Sequence, residues 1–295
     1  MYLAVPFGIL FLNLAAALMV TPKLRSHPGL LGFHLALAIL ALLAAADRLL
    51  GFTGHVEMTE GTAFDPSLVA ATPGLLHETT LNRVSFVQDK FEIHYAPGMK
   101  RRETVNRVRI PLNPTEWRTV TFGDDRPLVA AGYRFYTSFN KGFAPVLTFT
   151  DAGGHSTTGA IHLPSYPLNH FKQGAEWTPP GAAEPIKIWL HLPAPAYDET
   201  AEWRFDTPVN ASLVVIQGDR RQELSPGDSI ALPTGDLRYR GLRTWMGYKI
   251  SHNPLAPWML SAVAIGITCL GWYLAGRMLR KPWHDDHVIG AADDR

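Results

Sequence analysis

One ionisable side chain stands where such groups are least expected. His34 lies in Gly32-Phe33-His34-Leu35-Ala36-Leu37, about one turn into an otherwise uncharged apolar run. An ionisable group at membrane depth is costly and marks a functional position by default. Imidazole there suits haem iron, zinc or proton transfer. The plain alternative is that His34 snorkels or hydrogen-bonds a neighbouring helix. The sequence leaves both open.

Elsewhere the chemistry is sparse. His55, His77, His94, His155, His162, His170, His191 and His252 are spread along the chain, none in a His-x-x-x-His or His-Glu-x-x-His pattern that would make a helical metal site. They read as scattered surface or partly buried residues. The only cysteine, Cys269, lies in an apolar run and reads as a small hydrophobe. One cysteine makes no intrachain disulfide and no Cys-x-x-Cys motif, which excludes a c-type cytochrome and a thiol oxidoreductase. No Gly-x-Ser-x-Gly elbow, zinc-finger, Rossmann or P-loop spacing occurs. An independent hydrolase is therefore the least supported class. A formal net charge of +1 gives no reason to expect a nucleic-acid partner. Lys100-Arg101-Arg102 reads as a solvated loop, with lipid headgroups or an acidic partner as the alternative contact.

The elements that position His34 follow from hydropathy. Charged residues make up 18% of the 295 residues, below the roughly 25% of an average soluble domain. The deficit concentrates in three apolar runs: Met1 to Val20, Gly29 to Ala46 and Leu255 to Gly276. Each is close to the ~20 residues that cross ~30 Å of hydrocarbon as a helix. The first run has no basic leader and no small-residue cleavage site before Thr21-Pro22-Lys23, so it reads as a helix rather than a signal peptide. The turn after it carries Lys23 and Arg25; the third run ends in Arg277, Arg280 and Lys281. Both basic flanks belong on the cytoplasmic side. Trp258, Trp272, Tyr273 and Trp283 fall near the ends of the third run, as an aromatic belt would. The expected organisation is a transmembrane hairpin over 1–46, an extracytoplasmic domain over 47–253, a third transmembrane helix over 254–281 and a disordered cytoplasmic tail over 282–295. Asp285, Asp286, Asp293 and Asp294 in the tail do not oppose this orientation.

Between the helices the pattern turns to strands. Val84–Val87, Phe91–Tyr95, Tyr133–Tyr136, Val146–Phe149, Ile186–Leu190 and Leu213–Ile216 alternate like half-buried strands, rich in aromatic and β-branched residues. Gln222 to Leu232 reads as a strand, a tight Pro-Gly turn and a strand; Ala175 to Glu184 reads as a loop. No sustained 3.6-residue period appears. The fold class expected is a membrane protein with three transmembrane α-helices and a large all-β extracytoplasmic domain, an antiparallel sandwich or open barrel.

Two stretches resemble the ResB family, also called CcsB, of system II cytochrome c biogenesis. The first runs from Phe11-Leu12-Asn13-Leu14 through Gly32-Phe33-His34-Leu35-Ala36-Leu37 to Gly54-His55-Val56-Glu57-Met58-Thr59-Glu60-Gly61. It looks like that family's helix pair, with its helical histidine, leading into the exported domain. The second, Leu224-Ser225-Pro226-Gly227-Asp228, then Tyr239-Arg240-Gly241-Leu242, then His252-Asn253-Pro254, is similar to its closing strands and step into the last span. Gly132 to Pro145 is similar in flavour only. The resemblance implies a CcsA-type (ResC-type) membrane partner with a Trp-rich haem-handling motif. Together the two proteins would carry haem b across the membrane and support its attachment to apocytochrome c. It implies that His34 is one axial ligand of a haem held between helices, the partner supplying another. It implies a cytoplasmic (inner) membrane location with the large domain on the periplasmic side. Members usually carry one more N-terminal helix, and the Trp-rich motif is missing here, so this chain alone is not expected to complete ligation. The alternative is a non-catalytic accessory subunit of a membrane redox complex whose β-domain docks an exported electron carrier. A sensor or a sterol- or lipid-binding β-domain would need a sizeable apolar pocket.

Overall fold

Proline and glycine decide where the first helices begin and end. A computed structural model of the protein describes residues 4–168, 172–192, 200–208 and 210–279. Helix α1 spans Ala4–Val20, the single turn α2 Pro22–Arg25, and α3 Pro28–Leu50. Pro22 and Pro28 sit in the first turns of α2 and α3, where a missing N–H and a fixed φ are tolerated. Gly51 turns extended and ends α3, its N–H still bonded to Asp47 O at 2.7 Å. At the other end of the chain, α4 spans Ala256–Leu279.

Of the three expected spans, two are long and apolar enough to cross a bilayer: α3, with 23 residues and mean hydropathy 2.3, and α4, with 24 and 1.6. Helix α1 is as apolar, but its 17 described residues rise only ~25 Å. Helix α3 also continues past Asp47 to Leu50. Arg280, Lys281, Trp283 and the tail lie outside the described residues, as does His170.

Helices α3 and α4 meet through small side chains. A Cβ on Gly29 would stand 2.8 Å from Cys269 O, and one on Gly32 2.6 Å from Cys269 Sγ. One on Gly266 would stand 3.2 Å from the Ala36 Cβ. Small residues let backbones approach where no hydrophobic drive exists between helices. Cys269 is thus packing, as its surroundings in the sequence imply. Helix α1 packs on α3 as well.

The remainder of the described chain is β-structure: β1 (Phe52–Thr59), β2 (Ala70–Pro73), β3 (Val87–Ala96), β4 (Lys100–Pro111), β5 (Trp117–Gly123), β6 (Leu128–Ala130), β7 (Tyr133–Asp151), β8 (Ser156–Ala160), β9 (Gly174–Trp177), β10 (Ile186–His191), β11 (Trp203–Phe205), β12 (Ser212–Gln217), β13 (Arg220–Leu224), β14 (Ser229–Leu232) and β15 (Gly235–His252). Three antiparallel sheets result. The largest runs β2-β1-β15-β7-β6, with β14 added to β15 and β8 to β7; the others run β13-β12-β10-β9 and β11-β3-β4-β5. The two runs read as separate strands at Tyr133–Tyr136 and Val146–Phe149 are parts of one strand, β7.

Two cores make this a pair of sandwiches sharing one sheet, not an open barrel. In the first, Phe52, Val56, Phe135, Met246 and Ile250 of the large sheet meet Phe91, Ile93, Val108, Phe122 and Phe205 of the β11-β3-β4-β5 sheet. In the second, Leu147, Phe149, Leu237 and Tyr239 meet Ile186, Ile188, Leu213 and Val215. Strands β7 and β15 run through both, with register shifts at Tyr239/Gly241 and Met246/Tyr248. Gly241, at φ +144°, occupies the first irregularity, a backbone conformation other residues rarely adopt. The Ser225–Asp228 turn does join two strands as expected, but β13 and β14 belong to different sheets, so the turn carries the chain from one sheet of the second sandwich to the other. Val84 and Phe86 are buried without being in a strand, because the 3-10 turn Leu81–Arg83 delays β3 until Val87. The expected loop after Gly174 begins as β9, paired with β10.

One buried polar ring ties the first core together. Tyr248 Oη donates to Gln88 Oε1 at 2.5 Å, Gln88 Nε2 donates to Asn106 Oδ1 at 2.7 Å, and Asn106 Nδ2 donates back to Tyr248 Oη. All three residues are 1% exposed or less. Tyr248→Phe strands Gln88 and Asn106 without water, and we expect it to lower unfolding free energy by about 1–3 kcal/mol in denaturant titration of the detergent-solubilised chain.

Candidate functional site

His34 is set into α3 by its own helix. Its Nδ1 lies 2.9 Å from Leu30 O, one turn back. A carbonyl only accepts, so Nδ1 carries a proton and donates, and in a neutral ring Nε2 then keeps its lone pair. Among the described residues, Nε2 has no hydrogen-bond partner. Phe33 meets the ring edge-on at 5.4 Å. Metal-binding histidines are commonly oriented in this way, with the far nitrogen fixed by a carbonyl.

The face of α3 that carries His34 is not the one against α4. At 100° per residue, Gly29, Gly32 and Ala36 cluster on one side, while His34, Ala38 and Ala41 cluster on the other. Ala38 and Ala41 are buried, at 3% and 4% exposure. The other helix packed on α3 is α1, so His34 faces the α1 side and is itself half-buried.

The remaining histidines of the described chain each have a local setting rather than a shared one. His77 bonds Leu50 O, His252 bonds Gly132 O, His155 pairs with Asp151 and His191 with Glu223. His94 lies 3.9 Å from Glu92, and His55 is exposed. Among the described residues no three His, Cys, Asp or Glu side chains are placed to hold a metal ion.

Two arrangements in the β-domain escaped the sequence reading. His162 Nε2 lies 2.8 Å from Thr59 Oγ1 and its Nδ1 lies 3.0 Å from Glu57 Oε2, with the ring stacked on Trp245 at 5.1 Å. Hydroxyl, imidazole and carboxylate stand in the order of a nucleophile relay. Thr59 is only 4% exposed, however, and the adjoining ~300 Å³ cavity is lined by Glu57, His162 and Trp245 but not by Thr59. The cluster therefore acts as a strut, tying β1 to the segment after β8.

The second is Lys141, 4% exposed on the inner face of β7, whose amine has no hydrogen bond or ion pair among the described residues. Its Nζ lies 5.2 Å from the centre of the Tyr95 ring, a cation–π contact. Just before it, Ser138, Phe139 and Asn140 bulge opposite Gly247 alone. Arg101 clamps the bulge by donating to Ser138 O at 3.0 Å and to Asp124 Oδ1 at 2.5 Å. Burial, with Arg101 nearby, pulls the Lys141 amine down to about 8. The signal was the strand phase: counting back by twos from Leu147 and Phe143 reaches Lys141.

The chain belongs to the ResB-like family, whose model matches residues 25–280. The match takes in α3 with His34, the whole β-domain and α4. No curated protein matches the chain at a significant level. Membership agrees with the resemblance carried by the two stretches above, and with it comes a general role in cytochrome c biogenesis at a membrane.

Lys141 leaves a pH signature. Its folded pKa of about 8 lies below the 10.5 of the free amine, so between those values the unfolded chain holds the extra proton. Stability should rise with pH across that window, by on the order of 2–3 kcal/mol. Above pH 10 the buried Tyr95 and Tyr239, pushed up to about 12, oppose the trend. Denaturant titrations from pH 7.5 to 10 should show the rise in the wild type and not in Lys141→Met; an equal slope in both would contradict the assignment.

Proposed function

We propose that this chain is the haem-delivery subunit of a system II cytochrome c synthase, working with a CcsA-type membrane partner to pass haem b across the membrane to apocytochrome c. The observation that carries the reading is the hydrogen bond from His34 Nδ1 to Leu30 O, which in a neutral ring leaves Nε2 to ligate. Within this chain His34 supplies one imidazole to the cargo; the partner supplies the second. Two imidazoles hold an iron porphyrin without a covalent bond, which suits a relay.

Helix α1 acts as the third span, completing a hairpin with α3. Lys23, Arg25 and Arg277 mark the cytoplasmic end, which puts the β-domain on the periplasmic side of the inner membrane. The β-domain, which shows no relay open to a substrate among its described residues, docks the partner or the apocytochrome in this reading.

The test is to co-purify the chain with its CcsA-type partner and measure haem by the pyridine haemochrome assay. His34→Ala should lose most of the bound haem, and added imidazole should restore it. Full haem retention in His34→Ala would sink the ligand assignment.

A further inference from the structure

The turn Gly74–His77, in the segment between β2 and β3, carries leucine at both central positions. His77 N donates to Gly74 O at 3.1 Å, closing it. Leu75 is 70% exposed and Leu76 63%. Turn tips in water usually carry Gly, Pro, Asn, Asp or Ser, because those residues suit the backbone and the solvent. Two adjacent leucines present apolar surface instead.

The turn is bolted to the end of α3. Gly74 N donates to Gly51 O at 2.8 Å, Leu76 N to Leu49 O at 2.9 Å, and His77 Nδ1 to Leu50 O at 2.8 Å. The last carbonyls of a helix have no partners within it, and here the turn supplies them. The approach is so close that a Cβ at position 74 would stand 2.2 Å from Leu49 O, which admits only glycine. Exposed Leu35, Ile39 and Leu42 form one stripe along α3, at i, i+4 and i+7. Leu75 and Leu76 add apolar surface at the end of that helix, and Arg48 in its last turn and Glu78 just after the leucine turn suit a headgroup layer.

We propose that the Gly74–His77 turn is an interfacial membrane anchor, with Leu75 and Leu76 inserted into the phospholipid leaflet in which α3 ends. The proposal rests on the reading of α3 as a span. Anchored there, the turn holds the depth and rotation of the helix that carries His34.

The test uses the full chain in a Cys269→Ala background, reconstituted in phosphatidylethanolamine–phosphatidylglycerol vesicles. Single cysteines replace Leu75, Ile39 in the span, or the exposed Leu112 in the β-domain, and each carries an environment-sensitive fluorophore. The Leu75 probe should emit to the blue of the Leu112 probe, lose its quenching by aqueous iodide, and be quenched by lipids brominated near the headgroup. Gly74→Val should return it toward the Leu112 behaviour. Iodide quenching at Leu75 equal to that at Leu112, with Ile39 still quenched by deeply brominated lipid, would overturn the anchor and spare the span. Shielding of Leu75 from both quenchers would place the turn against protein and also overturn it. Iodide access at Ile39 would remove the span itself, and with it the anchor.

Discussion

Hydrocarbon offers no partner for a polar group, and that single constraint organises the membrane part of this protein. Each backbone N–H and C=O there must be satisfied within the chain, which selects helices. The polar side chains follow the same rule. Ser261 and Thr268 in α4 donate to Pro257 O and Ala264 O at 3.0 and 2.9 Å, each one turn back. His34 does likewise with Leu30 O. For a hydroxyl the bond ends the matter. An imidazole has two nitrogens, so anchoring one leaves the other without a partner among the described residues. The end of α3 poses the same problem for carbonyls, and a turn from elsewhere in the sequence answers it.

The β-domain is governed by burial instead. Strands β7 and β15 are long enough to serve two sandwiches, and the irregularity at Tyr239/Gly241 falls between the two cores, the one at Met246/Tyr248 within the first. The price of a bulge is unpaired backbone, and Arg101, held by Asp124, offsets it at Ser138 by donating to the carbonyl. The same strand then brings Lys141 into an aromatic interior with no carboxylate among the described residues to meet it, which the fold tolerates by weakening the amine's hold on its proton.

Much of this was legible in advance. Hydropathy placed α3 and α4, and alternation placed β10 and β12, because each signal depends on local periodicity alone. The β-class was legible for the same reason, as was the place of His34 inside a helix. Three features were not. The bolting of Gly74–His77 to α3 is a contact between distant segments, and Pro73-Gly74-Leu75-Leu76 on its own is only a turn with odd residues. The His162 cluster needs Glu57 and Thr59, more than a hundred positions earlier. The separation of β13 and β14 into two sheets depends on which partners each strand finds, a matter of register that two short strands and a turn do not encode. The span expected at α1 was read from apolarity, which it has; its described length is what falls short.

The central claim is that His34 Nε2 ligates haem iron in the assembled complex. Electron paramagnetic resonance of the oxidised complex with its CcsA-type partner tests it most directly. The wild type should show a low-spin signal of two imidazole ligands, His34→Gly should lose it, and exogenous imidazole should bring it back. An unchanged low-spin signal in His34→Gly without imidazole would contradict the claim.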